Sequence, residues 1–335
     1  LALQGSITIA DAITLRGDGV GDVGAILNNS GANTISGLVT LAAASRVGST
    51  AGTLTFDVAT GNSFTGTFNL TFAGDGNTTV TDPIAIASGT LTKEGAGTLT
   101  LSGLNTYTGA TTISAGLVKL GASSSGLNSP LGTVASGVTV FSGAALDLAG
   151  YSITILEPLT LSGTGISNSG ALYNSSTTAS TYAGPITLVA DTTIKTTGGL
   201  TLNGAITGAY ALTVTNTGAL TLGSTVGLSG ARLTSLAVSG AANLYGNVWT
   251  SGAQTYSGNL GIGSDISLNS TSGGITIGGT LTGLTSTTLL YETTTPNRVG
   301  NSIVYSVNNS STYSGTISRI TYRMEVNVAG TLYFA

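Results

Sequence analysis

The 335-residue sequence has no cysteine and no histidine, one methionine, one tryptophan and five prolines. Without cysteine there are no disulfides, thiolate nucleophiles, iron–sulfur clusters or cysteine-based zinc sites. Without histidine there is no Ser-His-Asp triad, imidazole metal site or ordinary pH switch. Charge is scarce: 9 basic and 13 acidic residues give a net −4. That excludes a phosphate-binding stripe, so nucleic acid is not an expected partner. No apolar run approaches the ~18 residues of a membrane-spanning helix. Residues 1–17 alternate like a strand and hold no basic n-region or apolar h-region. The chain therefore reads as a mature product or a piece of a longer one, with any membrane contact made through flanking segments. Disorder is excluded too, because a mean hydropathy of +0.38 accompanies the low charge.

Glycine, threonine and serine fill the space that charge leaves, with 51, 59 and 39 residues. From residue 198 the glycines keep time. They fall at Gly198, Gly208, Gly218, Gly230, Gly240, Gly252, Gly263, Gly273 and Gly283. Between them lie short alternating runs such as Leu200-Thr-Leu202, Leu212-Thr-Val214 and Leu220-Thr-Leu222. Such alternation marks half-buried strands, apolar side in and threonine out. Strands spaced this way build a sandwich, a barrel or a β-solenoid of two or three strands per coil. The monotony of the strands, the few hairpin dipeptides and the near absence of charge favour the solenoid. Coils stacked on one another put outward residues in rows, where like charges would repel. Residues 1–284 then make roughly 12–14 coils and a rod of about 60 Å at ~4.8 Å per strand. Residues 285–335 break the rhythm. They hold Tyr291, Tyr305, Tyr313, Tyr322 and Tyr333 with Arg298, Arg319 and Arg323. Strand patterns remain at 302–307 and 320–326, so this part reads as a distinct β cap or the start of a further module.

Residues 91–120 read LTKEGAGTLTLSGLNTYTGATTISAGLVKL. Lys93, Gly95, Gly97, Thr98, Leu99, Leu101, Gly103, Asn105, Tyr107, Gly109 and Thr111, followed by Ala115-Gly116-Leu117, resemble the autotransporter-associated β-strand repeat. That repeat is also called the passenger-associated transport repeat. Residues 198–283, with GALTLGSTVG and SGAQTYSGNLGIGSDISL, resemble the looser repeats of filamentous-haemagglutinin-type exoproteins. Both resemblances imply an all-β, right-handed parallel β-helix displayed on a bacterial surface. The repeat is associated with secretion and folding of the passenger rather than with chemistry.

The residues that could carry chemistry are few. Parallel β-helices include polysaccharide-cleaving enzymes, and glycoside hydrolysis needs two carboxyls ~5–9.5 Å apart. Asp57 with Asp75 or Asp82 is the nearest pair that neighbouring coils could bring together. Solvated turn residues are the plainer reading. Arg16-Gly-Asp-Gly-Val-Gly-Asp22 contains an Arg-Gly-Asp tripeptide and superficially resembles a calcium-loop nonapeptide; the default is a glycine-aspartate turn. Lys93-Glu94 reads as a solvated turn. Thr-x-Thr recurs at Thr53-Leu-Thr55, Thr98-Leu-Thr100 and Thr213-Val-Thr215, but its irregular spacing argues against flat threonine rows of the kind that bind ice. No catalytic, cofactor or metal residue is assigned, and no cofactor is expected. The expected role is a structural display segment of an exported adhesin or exoprotein, outside the cell. Its partner would be a surface receptor, a glycan or copies of itself. A self-associating filament subunit and a polysaccharide-acting enzyme are the alternatives.

Overall fold

Alternation decides which side chains go inside. In the strand Thr98–Leu101, Leu99 and Leu101 are buried while Thr98 and Thr100 are half-exposed. A strand this short hides its apolar face only against other strands. In the computed structural model those strands come from the same coil and the coils above and below. The structure describes residues 1–263 and 266–282 in full, together with the backbone of the strands Thr288–Thr293, Asn301–Ser306, Glu325–Val326 and Leu332–Tyr333.

The chain winds as an all-β parallel solenoid with three sheets. The strand Ile186–Thr196 shows how one coil turns. Its first half pairs with Ile206–Thr207 in the first sheet, and its second half pairs with Ala211–Asn216 in the second. The chain then enters the third sheet at Leu200–Leu202, under Leu220–Leu222. The second sheet stacks thirteen strands, from Thr8–Ile9 to Ile275–Ile277. At ~4.8 Å between strands the column is about 58 Å long. Along the second sheet, coil length varies from 18 residues (Leu236 to Gln254) to 28 (Val118 to Leu146). The turns absorb the difference. A hairpin of Asn128–Ser129 and Gly132–Thr133 lies in the longest coil.

The core is one continuous column of Leu, Ile and Val. Where rings enter it, they come from all three sheets. Phe72, Phe56 and Phe64 sit on the first, second and third, with ring centroids 4.6–6.3 Å apart. Outside, variable coil length does not scatter the threonines. On the first sheet Thr71, Thr92, Thr112, Thr139, Thr160, Thr187 and Thr207 stand in register on seven consecutive coils. On the second, Thr8, Thr34, Thr55, Thr79 and Thr100 do the same. The irregular spacing seen in the sequence is therefore corrected here: insertions fall in turns, and strand register is kept. Neutral threonines stack without repulsion, and cross-strand hydroxyl pairs add a little stability.

Past the coils, Thr288–Thr293 pairs antiparallel with Asn301–Ser306, which matches the strand pattern read at 302–307. Most of the segment read as a cap, including Tyr313, Tyr322 and the pattern at 320–324, lies outside the described residues.

Candidate functional site

The 91–120 segment contributes strands Leu91–Lys93 and Thr111–Ile113 to the first sheet, and Thr98–Leu101 and Gly116–Leu120 to the second. Three of its polar side chains, Lys93, Asn105 and Thr111, are buried. Lys93 is 3 % exposed. Its ammonium donates to the carbonyls of Glu94 (2.6 Å), Gly95 (2.7 Å) and Ala115 (3.4 Å), the last in the next coil. Burial lowers its pKa to about 8, opposed by the charges of Asp75 and Glu94. The expectation of a solvated Lys93 is thus overturned. The corner leaves carbonyls turned toward the core, and an inward ammonium supplies their donors. Only Glu94 keeps the solvated role, paired with Arg46 at 2.7 Å.

Asn105 links three coils. Its side-chain oxygen accepts from the Ile84 amide (2.7 Å), its amide nitrogen donates to the Pro130 carbonyl, and its backbone N–H donates to Ser129 (2.9 Å). Thr111 donates to the Leu131 carbonyl (2.8 Å), so the Tyr107 hydroxyl must donate to Thr111 (2.6 Å). Gly95 has φ +70° and sits against the Gly74 backbone one coil earlier, where a Cβ would overlap it. Lys93, Asn105, Tyr107 and Thr111 hold successive turns together from inside the column. Sequence reading missed that Leu70-Thr71-Phe72, one coil earlier, stands in register with Leu91-Thr92-Lys93. The signal was there in Gly74-x-Gly76, twenty-one residues before Gly95-x-Gly97.

Of the three candidate carboxylates, the structure joins two. The Thr81 hydroxyl lies 3.0 Å from Asp57 Oδ1 and 3.1 Å from Asp82 Oδ2, so those oxygens are within about 6 Å of each other. Asp82 Oδ2 also accepts from the Val58 amide (2.8 Å). Asp75 stands at the other end of the Asn77–Val80 strand and accepts from the Ala96 amide (3.2 Å). The Arg16–Asp22 segment leads into a protruding loop closed by a Gly24 N–H to Asp18 carbonyl bond (2.8 Å), with Val20 95 % exposed at its tip. Residues 163–170 repeat the loop without its acids: Gly170 donates to Thr164 (2.8 Å), and Gly165 shares the backbone of Gly19. A recurring turn explains the glycines and favours the default reading of this motif. A buried acid went unnoticed in the sequence. Glu157 is 1 % exposed, and its carboxyl oxygens complete no hydrogen bond. Burial pushes it up to about 8, and the nearby Ser129 hydroxyl offsets only part of that.

A family model for the passenger-associated-transport-repeat matches residues 91–120. These residues are a passenger-associated-transport-repeat. The repeat and the parallel solenoid fit an autotransporter passenger-like repeat protein. The repeat also suggests an exported surface protein. No curated protein and no solved structure matches the chain. Among the described residues, no helix is long and apolar enough to cross a membrane. No group of three or more acids among them could hold a metal ion.

Proposed function

We propose that the chain is a structural display segment of an exported bacterial surface adhesin or exoprotein, working outside the cell without catalysis of its own. One observation carries the reading. The buried polar residues of the passenger-associated-transport-repeat, Lys93, Asn105, Tyr107 and Thr111, hold coils together inside the column. A rod whose contacts run between neighbouring coils can fold progressively as it leaves a membrane. The likeness of residues 198–283 to filamentous-haemagglutinin-type repeats supports the same role.

The chain fused between a signal peptide and an outer-membrane translocator barrel should reach the cell surface and become accessible to external protease. Retention in the periplasm would overturn the display reading. The approach of Asp57 to Asp82 gives the enzyme reading its one structural support. Purified chain incubated with plant, algal and bacterial polysaccharides should release neither reducing ends nor unsaturated products. Turnover that vanishes in Asp57→Asn or Asp82→Asn would make this an enzyme.

A further inference from the structure

The threonine row of the second sheet changes character half-way along. After Thr100 the in-register residues are Lys119, Asp147, Tyr173 and Lys195, before threonine returns at Thr215. Two of the chain's three lysines are in this short stretch. Lys119 and Lys195 are exposed, and neither has a hydrogen-bond or ion-pair partner among the described residues.

The face also dips here. In Ala144–Asp147 all four residues are buried, including the outward positions Ala145 and Asp147. Asp147 is 1 % exposed and hydrogen-bonded through both oxygens. Oδ1 accepts from the amides of Ala149 (2.8 Å) and Ser175 (3.1 Å), and Oδ2 from the Ser175 hydroxyl (2.7 Å). Asp75 and Asp191 accept from the amides of Ala96 and Ala211. A shallow, open groove of about 340 Å³ results, running from Thr53 to Ser175 and floored by Thr100, Lys119, Asp147 and Tyr173. The exposed charges of this stretch are two lysines, Lys119 in the groove and Lys195 one coil beyond Tyr173, with the Asp147 carboxylate buried between them.

We infer that this groove binds an extended anionic glycan, a polymer of carboxylate- or sulfate-bearing sugars lying along the solenoid axis. The chemistry narrows the occupant. The groove is open and polar, whereas small molecules need enclosed and mostly apolar pockets. A peptide adding as a strand needs a free sheet edge, and each strand of this face is already paired on both sides. Nucleic acid demands more cations than the chain owns. A glycan fits because Lys119 and Lys195, three coils and about 14 Å apart, meet repeated acidic groups without a fixed register. Tyr173 between them offers a ring face to the C–H side of a sugar, its hydroxyl held by a hydrogen bond to Asp147. The inference deepens the display reading by naming a ligand class. It rests on that reading only for where the ligand is met.

The test is retention of the 335-residue chain, at low ionic strength, on immobilised polygalacturonate, dextran sulfate, uncharged dextran and polyglutamate. Polygalacturonate and dextran sulfate separate carboxylate from sulfate as the source of charge, and polyglutamate separates a glycan from any polyanion. Retention on at least one charged glycan is expected, with little on dextran or polyglutamate. Lys119→Glu and Lys195→Glu should each weaken it by about tenfold, the scale of one charge-assisted contact, and Tyr173→Ala should weaken it also. Thr160→Glu, on the first sheet, should leave it unchanged. Far-ultraviolet circular dichroism and the unfolding midpoint verify that each variant is folded. No retention on either charged glycan would overturn the inference. So would equal retention on polyglutamate that ignores Tyr173→Ala, since that is charge without sugar recognition. Neither result bears on whether the chain reaches the cell surface.

Discussion

The buried acid Glu157 carries a pH dependence that a single substitution can isolate. Glu157 lies in the core beside Tyr107 and Tyr182, whose hydroxyl donates to its backbone carbonyl at 2.9 Å. Its pKa is about 8 in the fold against an ordinary 4.5. Between those values the folded chain holds a proton that the unfolded chain has released. The contribution of Glu157 to stability is therefore full below about pH 4.5, falls as pH rises, and is lost above about pH 8. Glu157→Gln cannot ionise, so it should match the parent at pH 4 and exceed it by a few kcal/mol at pH 9. Urea unfolding at the two pH values measures this, and parallel shifts in both proteins would contradict it. The same residue shows where sequence legibility stopped. Leu99 and Leu101 inside, with Thr98 and Thr100 outside, followed from alternation. Glu157 and Lys93 did not, because no period marks a polar side chain that turns in to meet a corner or an insertion.

At the scale of an element, the turns rather than the strands carry the steric specification. The ten-residue glycine rhythm was plain in the sequence, but it treats all its glycines alike. The structure separates them. A Cβ on Gly218 would run into the backbone of Gly198 in the coil before, whereas a Cβ on Gly230 would meet nothing within 4 Å. Corners stacked at strand spacing leave no room for a side chain where one turn lies directly on the next. Gly230 sits instead in an excursion between Val226 and Leu233, which both pair in the first sheet. Gly218→Ala should therefore cost roughly 2 kcal/mol or more, while Gly230→Ala should be neutral or slightly stabilising through the unfolded chain. Thermal unfolding of the two variants decides it, and equal losses would mean that the corners are not packed as described. Insertions in turns also explain why the threonine ladders were invisible in the sequence: coil steps of 18 to 28 residues hide a register that pairing keeps.

The whole molecule is a one-dimensional stack, and its unit of cooperation is the coil, not the glycine interval. Residues 198–217 are one complete coil: the strand Leu200–Leu202 in the third sheet, Ile206–Thr207 in the first and Ala211–Asn216 in the second. Cutting them joins Thr197 to Gly218, and Leu220–Leu222 takes the place of Leu200–Leu202, with which it is already in register. Every strand then still enters its own sheet, and each remaining coil keeps a neighbour on either side. Cutting only residues 208–217 removes the same glycine beat once instead of twice. It deletes a second-sheet strand alone, so the chain passes from the first sheet straight into the third and the coil cannot close. Because each coil buries its apolar face only against its neighbours, the longer deletion should be the milder one. The 20-residue deletion should keep a β-type circular dichroism spectrum and unfold in urea with a slope smaller by roughly one coil's share of buried surface. The 10-residue deletion should lose much of its stability or aggregate through unpaired strand edges. A milder outcome for the shorter cut would show that the two-strand interval, and not the three-sheet coil, is the repeating unit.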